Sequence, residues 1–172
     1  YNDDAEDVIK RALNEDIWLI NVGTQKDTSA KAVEIAEKYP EGVYATVGIH
    51  PIHTEKSYHD EQELGESSSV KATEGFTSRS EEFDFDYYKR LGENKKVVAI
   101  GECGFDFAAF ARSQNERLQK GAPRRSLSEG GASSFETTKE KQKEAFVAQI
   151  ELAHELKKPL MTHCRSAYPD LI

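Results

Sequence analysis

The sequence is short of cysteine, of positive charge and of long apolar runs. Two cysteines in 172 residues give no disulfide framework and point to a reducing compartment, with the cytoplasm as the expected location. No run approaches the roughly 18–20 apolar residues that a membrane span needs. No signal-peptide pattern stands at the N-terminus, although the chain opens on Tyr1 rather than Met, so a leader could have been lost. Lys and Arg number 23 against 31 Asp and Glu, a formal net charge of −8. That balance argues against a general nucleic-acid coat protein, which is normally basic. It leaves room for an enzyme that meets nucleic acid only at a cationic or metal-bearing site. The mean hydropathy of −0.70 means that some stretches form no core, yet the length is enough to bury one.

What is present is an alternation of two periods. Ala5, Val8, Ile9, Ala12 and Leu13 recur at helical spacing within residues 3–15, with Asp3 and Asp4 placed to cap the helix and to favour its positive end. Residues 17–22 (IWLINV) form a short apolar run that predicts a strand buried on both faces. Thr28 is the expected cap of a second helix, with Ala32, Val33, Ile35, Ala36 and Tyr39 inward and Pro40 as its stop. Further strands are predicted over 43–49, 97–100 and 159–162, and helices over 83–91 and 136–156, the last with Phe146, Ile150 and Ala153 on one face. Continuous apolar strands alternating with helices mean β/α units and a parallel sheet covered by helices. Two stretches break the pattern, 54–82 and 111–135. Both exceed the usual β/α loop of about 2–6 residues and are read as flexible insertions. The second gathers Arg112, Arg117, Lys120, Arg124 and Arg125. It leaves the strand end that carries Glu102, so it could follow a nucleic-acid backbone through phosphate contacts. A flexible insertion is the favoured reading.

Parallel β/α folds keep their chemistry at the C-terminal ends of their strands. His50 follows the second predicted strand, Glu102 the third, and His163 then Arg165 the fourth. A carboxylate and imidazoles on rigid strand ends are the raw material of a divalent metal site. Each residue alone has a plainer reading as a hydrogen-bonded structural group, and composition and spacing go no further. His154 and His59 are read as solvated. Cys103 and Cys164 each follow a candidate site residue by one position, so by strand parity they face the helix layer as small buried residues rather than nucleophiles.

The strings TVGIHP (46–51), VVAIGECGFDF (97–107) and QKEAFVAQIELAHELKKPLMTHCRSAYPDLI (142–172), with DVIKRALNEDIWLINVGT (7–24), resemble the TatD-type deoxyribonuclease family. The resemblance covers nearly everything outside the two unpatterned stretches. It implies a (β/α)8 (TIM) barrel of the metal-dependent hydrolase type and divalent-metal-dependent nuclease activity, often 3′→5′ exonuclease action on DNA. It implies one or two divalent ions (Mg2+, Mn2+ or Zn2+) per complete site. Carried over by motif, Glu102 and His163 are metal ligands and catalytic groups. Arg165 faces the substrate phosphate, His50 is a polar substrate contact, and Asp106 orients a ligand through a hydrogen bond. DNA is then the partner, as substrate; no membrane and no obligate protein partner is indicated.

The departures from the family pattern matter as much. The family's first-strand H-x-H pair and its later His and Asp do not occur in this sequence. Where several members carry a second His directly after the Pro, this chain has Ile52 and then His53, which strand parity places away from His50. A whole barrel of this type needs about 250 residues. The expectation is therefore one partial barrel domain over 1–172 holding roughly strands two to five, and inactive by itself. Two rivals remain open: a metal-dependent amidohydrolase-type enzyme on a small substrate, and an inactive fragment or binding remnant.

Overall fold

The computed structural model describes residues 4–55, 80–111 and 132–171. Within them the order is α1 (Ala5–Asn14), β1 (Leu19–Val22), α2 (Lys26–Glu37), β2 (Val43–Val47), a 3-10 turn (Pro51–Thr54), α3 (Phe85–Gly92), β3 (Val97–Asp106), α4 (Ala132–Leu156), β4 (Leu160–Arg165) and α5 (Tyr168–Leu171). The four strands form one parallel sheet in the order β1-β2-β3-β4. Each new strand adds to the same edge. That is how a (β/α)8 barrel grows, whereas a doubly wound sheet reverses direction at a switch point. The expected fold class, α/β with four parallel strands consistent with part of a TIM barrel, is the one observed.

The core lies between the sheet and its helices. Val43, Ala45 and Val47 of β2, Ile100 of β3, Ala36 of α2, Tyr88 of α3 and Leu152 of α4 are sealed from solvent. A strand covered on both faces reads as a continuous apolar run, and β2 does so. Strand β1 does not behave this way, which corrects the expectation that it is buried on both faces. Its burial alternates: Leu19 packs into the core, while Ile20 and Val22 stay 55% and 42% exposed. The reason is positional. α2 covers one face of β1, and the residues of opposite parity look the other way.

Three local features differ from the predicted pattern. α2 starts at Lys26, so Thr28 is not its first cap. It sits three residues past Gln25, and its Oγ1 accepts from the Gln25 N–H at 2.8 Å and the Thr24 N–H at 2.9 Å, the reach-back half of a capping box. β3 runs six residues further than its apolar string. Gly101 and Gly104 interrupt that string, but both have positive φ, and a Cβ at either would lie 2.2 Å from a β4 carbonyl oxygen. They let the strand continue through a register shift between Ile100 and Cys103, a bulge of the kind that re-aims side chains beside sites. On α4 the inward stripe is Thr138, Gln142, Ala145, Gln149 and Leu152, whereas Ile150, expected inward, is 42% exposed. Ala153 is buried as expected and Phe146 packs against the Phe105 and Phe107 cluster, while two glutamines share the buried stripe. Residues 56–79 and most of the basic stretch, Arg112 to Arg125 included, lie outside the described residues, as does His59.

Candidate metal and phosphate site

The site is assembled at the C-terminal ends of β2, β3 and β4. Gly104 pairs with His163 and Asp106 with Arg165 across the β3–β4 ladder. Glu102 and Asp106 share one strand parity, and His163 and Arg165 share another. His163 lies between the two carboxylates: Nδ1 is 2.9 Å from Glu102 Oε1, and Nε2 is 3.0 Å from Asp106 Oδ2. Arg165 donates to the same Asp106 oxygen from Nε at 2.9 Å and from a terminal nitrogen at 2.8 Å. The other Asp106 oxygen accepts from the Ala108 N–H at 3.0 Å. His50 stands over this group, its ring centroid 4.1 Å from that of His163 and tilted by 63°, with its Nε2 4.0 Å from Glu102 Oε1.

The electrostatics follow from these contacts. Burial pushes the Asp106 carboxyl upward, but hydrogen bonds from His163, the Ala108 amide and Arg165 outweigh it and hold Asp106 well below the usual carboxylate range. The hydrogen bond to Asp106 raises the His163 imidazole; burial opposes this and the Glu102 bond adds to it. Burial first, then the neighbouring His163 and His53 imidazoles, lower His50 to about 3. His50 is therefore a neutral ring. Its Nδ1 accepts from the Ile52 N–H at 3.2 Å, which assigns the ring proton to Nε2 and makes that edge a donor.

Among the described residues, His50, Asp106 and His163 form a group whose ligand-capable atoms lie within 4.8 Å of one another. Glu102 reaches that group through His163. The donor chemistry suits a hard or borderline divalent ion: two carboxylates flank an imidazole, with a second imidazole over them. The five residues named from the sequence, His50, Glu102, Asp106, His163 and Arg165, are thus neighbours. His53 is buried beside them, its ring 6.0 Å from that of His50. The parity argument does not govern His53, because Pro51–Thr54 is a 3-10 turn and not a strand.

The cysteines stay out of this cluster. Cys103 is buried and its thiol donates to the Met161 carbonyl at 3.6 Å. Burial, then the Glu102 charge, push it up to about 12, which suits an inert residue. Cys164 packs against Phe105, Phe107 and Ala167. His154 is exposed on α4.

Residues 1–172 match the family described as TatD related DNase over their whole length. The chain belongs to that family. Its relatives include a 3′-5′ ssDNA/RNA exonuclease TatD from Erwinia billingiae, 32% identical over 166 residues, covering 96% of this chain and 45% of the relative. The TatD exonuclease of Edwardsiella piscicida is 29% identical over 173 residues, 100% of this chain and 48% of that protein. A Bacillus subtilis protein described as the uncharacterized metal-dependent hydrolase YabD is 29% identical over 173 residues, 100% of this chain and 49% of its own. The chain thus spans about half the length of the curated relatives it matches. No helix among the described residues is long and apolar enough to cross a membrane.

Two buried residues escaped the sequence reading. Gln142 and Gln149 are almost sealed from solvent and bond to backbone at the site. Their signal was present: two amides seven residues apart, in register with Ala145 and Leu152 on one helix stripe.

Proposed function

We propose that this chain carries part of the active site of a divalent-metal-dependent nuclease, a TatD-like DNase that cleaves phosphodiester bonds as a 3′→5′ exonuclease. The observation that carries this reading is His163 held between Glu102 and Asp106, with Arg165 on the same Asp106 oxygen. Glu102 and His163 are the residues assigned to the metal, with Mg2+, Mn2+ or Zn2+ as candidates and one or two ions per complete site. A bound ion supplies Lewis acidity, which makes water nucleophilic at neutral pH and takes up charge on phosphate oxygens.

The chain's own residues divide the remaining work. Asp106 holds His163 in place and fixes Arg165 by two donors on one oxygen, so the guanidinium plane is preset toward an incoming phosphate. His50 offers its Nε2–H as a neutral donor to the substrate. Charge supports the assignment. Two carboxylates, Glu102 and Asp106, stand against one guanidinium, Arg165, which favours a cation among them. The substrate would be DNA, bound through phosphate contacts, in a protein whose overall charge is −8.

The test uses the protein that contains this chain. After chelation it is assayed with and without Mg2+, Mn2+ or Zn2+ on 3′-labelled single-stranded DNA and RNA, and in parallel on small amides and esters. The expected result is metal-dependent release of nucleotides from the 3′ end. Metal-dependent turnover of the amides or esters, with nucleic acid untouched, would favour the small-substrate hydrolase instead.

A further inference from the structure

We propose that Gln142 and Gln149 are positioning residues that hold His50 and Asp106 against His163, and through that imidazole set the grip of the site on a divalent ion. The inference rests on the metal reading above and extends it to two residues that touch no ligand-capable atom.

The side-chain oxygen of Gln149 accepts from the Ile49 N–H at 2.9 Å, and its NH2 donates to the Ile49 carbonyl at 3.2 Å and to the Ala145 carbonyl at 3.1 Å. Gln142 does the same to Asp106, accepting from its N–H at 2.9 Å and donating to its carbonyl at 3.2 Å. A primary amide matches a peptide group in donor and acceptor, so each glutamine acts as one residue of a missing neighbouring strand.

The sheet shows why a substitute is needed. β2–β3 pairing ends at Val47 and Ile100, so Ile49 lies past the ladder. Asp106 lies past it too on that side, while Phe107 N–H turns the other way to the Arg165 carbonyl at 2.8 Å. Without the amides, both backbone segments would carry unpaired buried groups just where they present His50 and Asp106.

The two glutamines stand seven residues apart on α4. Two helical turns put them on one face, separated by roughly 10 Å along the axis. α4 is therefore a rigid bar that fixes two strand ends relative to each other. Glycine makes the approach possible: a Cβ at Gly48 would lie 2.4 Å from the Gln149 oxygen and 2.8 Å from Gly101 Cα.

The experiment compares Gln142→Leu, Gln149→Leu and the double variant with Lys158→Met in the full protein. Lys158 binds the carbonyls of Gly92, Asn94 and Val97 at the opposite end of the sheet, so its variant reports destabilisation away from the site. Three readouts are taken: Mn2+ affinity by calorimetry, Tm without metal, and amide hydrogen exchange. Each glutamine variant should lose about tenfold or more in Mn2+ affinity, with exchange faster at Ile49 or Asp106 respectively. Lys158→Met should lower Tm as much and keep its affinity. The double variant should lose less affinity than the product of the single losses, since the two residues act through one imidazole.

Wild-type Mn2+ binding with unchanged affinity in both glutamine variants would overturn the inference and leave the metal reading standing. Equal loss of affinity in Lys158→Met would reduce the glutamines to general stability. A wild-type protein that takes no Mn2+ would overturn the metal reading and this inference with it.

Discussion

Nδ1 of His163 lies 2.9 Å from Oε1 of Glu102, a contact that ties together the C-terminal regions of two adjacent strands. Glu102 is half-buried and makes this contact with one oxygen. Its other role, on the proposed reading, is to bring negative charge to a metal. Glu102→Gln keeps an acceptor for His163 and removes the charge, whereas Glu102→Ala removes both. In the full protein, metal-dependent nuclease activity should fall by about 100-fold or more in each, with circular dichroism and Tm close to wild type. Wild-type turnover by either variant would sink the assignment.

Asp106 is the hub of the cluster, and its loss should be felt by the fold as well as by activity. Its carboxylate accepts from His163, Arg165 and the Ala108 amide while its side chain is only 4% exposed. Asp106→Asn removes the charge that neutralises Arg165 and turns one acceptor into a donor facing donors. A destabilisation of about 2–3 kcal/mol is expected, measured by denaturant unfolding without metal. Arg165→Ala, by contrast, leaves Asp106 with His163 and Ala108 as partners. It should raise KM for DNA and reduce the salt slope of binding by about one.

How much of this could be read from residue order depends on the kind of interaction. The alternation of β2 and β3 with helices was legible because parallel strands covered on both faces are written as apolar runs; β4 shows the same kind of short apolar run although its residues are only partly buried. His50, Glu102, His163 and Arg165 were legible because each follows such a run directly. The far half of β3 was not, since Gly101 and Gly104 look like turn residues. Only the approach of Met161 and His163 carbonyls explains why glycine continues the strand there. The spacing of Gln142 and Gln149 on one helix stripe was visible, but what they bind was not. A buried glutamine is satisfied by a backbone group about 36 or 100 positions away, and no local period records such a partner.

Thr46 provides a test of packing alone. It is 1% exposed, and its Oγ1 has no hydrogen-bond partner among the described residues. Thr46→Val replaces the hydroxyl by a methyl of nearly the same shape. A buried hydroxyl without a partner costs about 1–3 kcal/mol, so the variant should match or exceed wild-type Tm by an amount worth up to about 1 kcal/mol. A clear loss of stability would mean that the hydroxyl has a partner such as bound water.

β1 carries an open apolar face. Ile17, Trp18, Ile20 and Val22 are exposed by 42–61% on one short segment, and β1 pairs only with β2 among the described strands. An apolar strand face beside an unpaired edge recruits other chains. Residues 1–172 expressed alone should therefore be poorly soluble, self-associate and show no nuclease activity. Light scattering at increasing concentration measures the association. Ile20→Lys with Val22→Lys places charge on that face and leaves Leu19 and the β1–β2 pairing in place. The double variant should scatter less at equal concentration while keeping the far-ultraviolet spectrum of the parent. A monomeric, cooperatively folding parent chain with nuclease activity would show that this face needs no cover and would overturn the expectation.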